Sequence, residues 1–124
     1  GGEERCDGEC ARGEECKVAA CRDVAIGGEG VLADRVMVID VDHGVVDVER
    51  QIRAQGLYER DVRVGNNVWV GYGACFLRGV TVGDNAIVGT SAVVTKDVPD
   101  DAVAGGIPAR VLRMRDRPQR LRWR

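Results

Sequence analysis

The chain has 124 residues, room for one small domain and not for two. A net charge of −2 gives no global attraction to nucleic acid or to an anionic membrane, and no apolar run reaches the length of a membrane span. Aromatic residues are only 4% of a chain that is 44% apolar, so a core has to be assembled from small branched side chains rather than rings.

Residues 1–23 are rich in Glu, Gly and Cys and hold no convincing register, so they are expected to form an irregular cap or a disordered segment. Four of the five cysteines, Cys6, Cys10, Cys16 and Cys21, fall here, and Cys75 is the fifth. None forms a CxxC pair, and the count is odd. Small buried hydrophobes or free thiols are therefore expected rather than a zinc site or a disulfide framework. No charged-then-apolar leader opens the chain, so the expected location is cytoplasmic.

Ile26, Leu32 and Val38 head three blocks of six, IGGEGV, LADRVM and VIDVDH, which end at His43. The twenty residues from Gly44 to Arg63 lack the period and read as a long excursion that packs on something through Ile52, Leu57 and Tyr58. From Val64 the period returns in six blocks: VGNNVW, VGYGAC, FLRGVT, VGDNAI, VGTSAV and VTKDVP. The first positions are Val64, Val70, Phe76, Val82, Val88 and Val94; the fifth are Val68, Ala74, Val80, Ala86, Ala92 and Val98. Twelve apolar matches in twelve would arise by chance well below about one time in a thousand.

A period of six is neither helical nor simple strand alternation. It fits a chain that runs straight, turns a corner and repeats, three straight segments closing one triangular coil. The first position points inward and the small fifth position fits near a corner. Glycine at the second position, with Asn66, Asn67, Asp84 and Asn85, is expected to supply the turn conformations. Coils then stack by parallel strand pairing. After Pro99 the segment AVAGGIPARVLRM reads as one last strand-like turn. From Arg110 the chain becomes strongly basic, and residues 114–124 read as a tail.

The ordered set VIDVDHG, NNVWVG, VTVGDN, VVTKDVP and GGIPARV resembles the hexapeptide-repeat O-acetyltransferases of the galactoside, maltose and polysaccharide-cluster type. The resemblance covers residues 24–113 and implies an all-β fold, a left-handed parallel β-helix with a long excursion loop over 44–63. It further implies a homotrimer with acetyl-CoA as acyl donor in grooves between prisms. His43 matches the catalytic histidine. Trp69 is implied near the thioester end, Tyr72 and Thr90 along the cofactor, Thr95 and Lys96 toward its phosphates, and Arg113 at the nucleotide end. Tyr72 and Thr90 are bulkier than the small residues usual at those places.

The chemistry suits these residues. A hydroxyl attacking a thioester needs its proton taken as it attacks, and a neutral imidazole does this for about 10²–10⁴ in rate. Asp40, Asp42 or a backbone carbonyl are candidates to orient the ring, and backbone N–H groups near the Tyr72 corner are candidates to hold the oxyanion. No metal is expected, since a hydratase of the γ-carbonic-anhydrase type needs several imidazoles and this chain has one. Two alternatives stay open. One is a non-catalytic β-helix scaffold or inactive fragment; the other is transfer to an amino group of an amino sugar or antibiotic.

Overall fold

The computed structural model describes residues 3–6, 11–20 and 22–116. Cys10, Cys21 and the arginines beyond residue 116 lie outside the described residues. Short strands wind into three flat faces joined by corners. The first face stacks β1 (Glu3–Cys6), β4 (Asp23–Ile26), β9 (Val62–Val64) and β12 (Thr81–Val82). The second stacks β2 (Ala11–Arg12), β5 (Val31–Leu32), β10 (Trp69–Val70), β13 (Ile87–Val88) and β15 (Ala102–Gly106), closed by β16 (Ala109–Met114). The third stacks β3 (Lys17–Ala19), β6 (Met37–Ile39), β11 (Cys75–Phe76) and β14 (Val93–Val94). Pairing between coils within the three faces is parallel, and β16 folds back antiparallel to β15.

The six-residue period reports this geometry directly. All twelve first and fifth positions from Val64 to Val98 are buried, as are Ile26, Leu32, Val36 and Val38 upstream. Among the described residues Phe76 is the one ring in the core, and it is fully enclosed.

Glycine at the second position works differently from the sequence expectation. Gly27, Gly65 and Gly83 do not have positive φ; Glu29, Asn67, Asn85 and Asp101 carry it at that corner instead. The glycines are there for space. A Cβ on Gly27 would lie 2.5 Å from Asn66 Oδ1, and Cβ atoms on Gly65 and Gly83 would run into Asp84 and Asp100. Those side chains form a ladder along the corner. Asn66 Oδ1 accepts from Gly28 N at 2.9 Å, Asp84 Oδ1 from Asn66 N at 2.7 Å, and Asp100 Oδ1 from Asp84 N at 2.8 Å. Each coil thus holds the backbone of the next, and only a residue without Cβ leaves room for the rung.

Two segments differ from the sequence reading. Residues 3–6, 11–12 and 17–19, expected to be irregular, form a further coil in register with the next: Cys6 with Ile26, Arg12 with Leu32, Val18 with Val38. From Val18 to Ile26 the chain takes eight residues instead of six, so counting back from Ile26 loses the phase. Downstream, the coil ends before His43. The third face stops at Ile39, Asp40 is fully buried at the corner, and the chain leaves as a separate ribbon of β7 (Val41–His43) and β8 (Leu57–Glu59). The excursion also holds a 3-10 turn at Ile52–Ala54, and the chain rejoins the first face at Val62.

Candidate active site

His43 is the last residue of β7 and is exposed, paired in register with Leu57. It opens on a shallow depression of about 550 Å³ lined by Asp42, His43, Val45, Val46, Tyr58 and Arg78. A second, polar depression of about 330 Å³ adjoins it, sharing Asp42 and Arg78 and adding Arg60, Leu77, Gly79 and Thr95. Lys96 follows Thr95 in the exposed corner between the third and first faces. The structure therefore brings His43 and Thr95 to one edge of the prism, with Lys96 beside them.

The other sequence candidates lie elsewhere. Trp69 points outward from the second face, 57% exposed, in a row with Val31, Ile87, Val103 and Arg113 in successive registers. Three strand spacings separate Trp69 from Arg113, about 14 Å. Tyr72 and Thr90 occupy the corner between the second and third faces, one coil apart, where Ser91 N donates to Tyr72 O at 2.7 Å. The third face lies between this edge and the edge that carries His43. Six residues at about 3.3 Å each make that separation up to roughly 20 Å. Within one chain the Tyr72 corner therefore does not face the same reacting atoms as His43, and its Gly71 and Gly73 N–H groups are spent on Val88 O and Asp34 O.

Neither acid expected to orient the imidazole does so. Asp40 turns inward, where Oδ2 accepts from the N–H groups of Arg22 at 2.7 Å and Asp23 at 2.8 Å. It secures the corner at which the excursion departs. Asp42 Oδ2 accepts from Arg78 Nε at 2.8 Å. Among the described residues no side chain hydrogen-bonds the His43 ring.

Tyr58, Arg60 and Arg78 were missed in the sequence. In the sequence Tyr58 stands out only as an apolar residue of the excursion, and Arg78 stands at an outward position of the block FLRGVT, where any polar residue fits the pattern. Among the described residues no three His, Cys, Asp or Glu side chains form a metal-holding group, and Cys16 and Cys75 are free thiols. Burial pushes the Cys75 thiol above its ordinary value of 9.0. It faces outward between Met37 and Val93 on the third face, away from His43. Among the described residues no helix is long and apolar enough to cross a membrane.

The outer surfaces of the three faces differ. On the first, Arg63 bridges Asp23 at 3.1 Å and Asp61 at 3.2 Å, and Arg22 pairs with Asp61 at 2.8 Å. On the second and third the outward rows run through Val31, Trp69, Ile87 and Val103, and through Met37, Cys75 and Val93.

Residues 61–96 match the model for the bacterial transferase hexapeptide (six repeats). The galactoside O-acetyltransferase of Escherichia coli is 38% identical over 91 residues, 73% of this chain and 43% of the relative. A probable acetyltransferase of Mycobacterium tuberculosis is 37% identical over 93 residues, 75% of this chain and 31% of the relative. The chain thus spans less than half the length of either. A solved galactoside acetyltransferase in complex with coenzyme A superposes with a TM-score of 0.75 at 30% identity, over 91% of this chain and 60% of that one. The likeness gives the coil its hand: the prism is a left-handed parallel β-helix, an exception to the usual right-handed crossover.

Proposed function

We propose that this chain, which carries the left-handed β-helix of the hexapeptide-repeat acetyltransferases, transfers an acetyl group from acetyl-CoA to a hydroxyl of a sugar or similar acceptor. The observation that carries the reading is the placing of His43. It is the sole histidine, and it sits exposed at the tip of a strand beside an open depression that continues to Thr95. A neutral imidazole there takes the proton of the attacking hydroxyl as the thioester carbonyl is attacked and returns it to the sulfur as the C–S bond breaks, so that coenzyme A leaves as the thiol. Direct transfer needs no acyl-enzyme, so both substrates have only to be positioned together.

One chain holds the expected residues on two edges. His43, Thr95 and Lys96 lie on one, and Trp69, Tyr72, Thr90 and Arg113 lie on and beside the other. A cyclic assembly of three chains would set one chain's His43 edge against another's Tyr72 edge, with acetyl-CoA in the groove between them. The apolar outward rows of the second and third faces favour such packing, because exposed apolar rows gain from being covered. We therefore read the active unit as a homotrimer, located in the cytoplasm.

Titration calorimetry with acetyl-CoA tests this, on the wild type and on Lys96→Ala, with the oligomer mass recorded on the same sample. The expected result is micromolar binding at one site per chain, a particle of three times the 13.4 kDa chain mass, and several-fold weaker binding in the variant. Binding would justify an acceptor screen with His43→Ala as control. A well-folded trimer that binds no acetyl-CoA would overturn the reading and favour a non-catalytic scaffold.

A further inference from the structure

The ribbon that carries His43 stands outside the three faces. Among the described residues strand β7 pairs only with β8, and neither joins a prism sheet. A two-stranded ribbon is marginal by itself in water, so the pose of His43 depends on what ties the ribbon down. Its base is tied through the backbone: Arg60 N donates to Asp40 O at 2.9 Å, and Gly79 N to Arg60 O at 3.4 Å. Nearer the tip, Asp42 and Tyr58 are register partners, one pair before His43 and Leu57. Directly opposed side chains share one side of a ribbon.

Arg78 meets both of them. Its Nε donates to Asp42 Oδ2 at 2.8 Å, and its guanidinium carbon lies 5.9 Å from the centroid of the Tyr58 ring. One side chain, rooted in a prism corner two residues after the buried Phe76, thus grips both strands of the ribbon next to the histidine. We propose that Arg78 is the positioning residue for His43: it fixes the height and tilt of the β7–β8 ribbon, so that the imidazole stays at the mouth of its depression. The proposal rests on the reading of His43 as the general base. A guanidinium suits the task because its planar fork binds a carboxylate edge while its face lies over a ring; a lysine ammonium offers a point charge and no plane.

The single histidine makes the test direct. With labelled histidine, the protein gives one set of imidazole NMR signals. Arg78→Ala is expected to shift or split them, Arg78→Lys to restore them in part, and Asp42→Asn with Tyr58→Leu to disturb them from the ribbon side. Arg115→Ala, which removes a hydrogen bond to Asn85 O at the corner between the first and second faces, is the control and should leave them unmoved. In acetyl transfer, Arg78→Ala should lower kcat by about ten- to a hundredfold, as small misplacements of a catalytic group do, with KM for acetyl-CoA unchanged. Histidine signals in folded Arg78→Ala that superimpose on the wild type would overturn the proposal. So would a loss of activity that shows only as a raised KM for acetyl-CoA, with kcat unchanged. If Arg78→Ala does not fold, the ribbon-side variants decide, and unmoved signals in both overturn it. A wild type without acetyl transfer would sink the functional reading, while the NMR comparison would still decide whether Arg78 holds His43.

Discussion

Replacing Gly65 by alanine separates two accounts of why glycine recurs at the second position of the repeat. If glycine supplied a special turn conformation, every such glycine would resist alanine alike. The structure argues otherwise. At Gly65 the new Cβ would lie 2.8 Å from Asp84 N and 2.9 Å from Gly83 C, and would collide with Asp84 Oδ1, the atom that accepts from Asn66 N. These are mostly backbone atoms of a stacked coil and cannot swing aside. Overpacking of this kind costs about 1–3 kcal/mol, and a weakened rung adds about 1 kcal/mol. Gly89 occupies the same repeat position on another corner, yet its Cβ would meet Ala104 O at 3.5 Å and Gly105 Cα at 3.8 Å, ordinary contacts at a negative φ. There alanine removes unfolded-state freedom without strain and should stabilise by about 0.4–1 kcal/mol. Thermal unfolding followed by circular dichroism should give a midpoint lowered by roughly 8–15 °C for Gly65→Ala and unchanged or raised for Gly89→Ala. Equal losses at both positions would refute the spacing argument, as would a neutral Gly65→Ala.

Asp40→Ala removes the carboxylate that accepts two backbone N–H groups in the core, so the urea midpoint should fall by the equivalent of about 3 kcal/mol. Phe76→Ala empties the largest fully buried side chain of the prism and should cost about 3–5 kcal/mol in the same assay. The Cys75 thiol, raised by burial, should be alkylated slowly at pH 8, with a rate still climbing above pH 9. The sign follows from its neutral form being favoured in the fold: the associated stability is complete below pH 9.0 and is lost as pH rises through the higher folded value. A plateau in alkylation rate below pH 9 would refute that environment.

The central coils were legible because an inward position admits almost nothing but an apolar side chain, and two such positions recur in every block of six. The pattern disappears wherever a corner changes length. Between Val18 and Ile26 two extra residues shift the phase, and Arg12 stands in register with Leu32, so the first coil reads as irregular although its strands pair normally. Hairpin formation by the excursion was equally hidden. Leu57, Tyr58 and Glu59 are all exposed, and a ribbon with both sides in solvent leaves no alternation to read. The corner glycines were visible, but their reason was not, since a collision with the next coil is a contact seventeen to thirty-nine residues away in sequence.

The site divides along the same line. His43 stood out in the sequence as a lone imidazole at the edge of the repeat, and Thr95 and Lys96 through their motif. What surrounds His43 was read less well, because it is set by which way the chain departs from the prism. Asp40 and Asp42 are two residues apart and look equivalent as partners for the ring. In the fold Asp40 belongs to the last position of the coil and points into the core, whereas Asp42 belongs to the ribbon and pairs with Arg78, thirty-six residues on. A sequence pattern records whether a position is inward or outward; it does not record which outward side chains converge. The excursion and the corner at Arg78 meet only once the coils are stacked, and on the proposed reading that meeting poses the base at the groove.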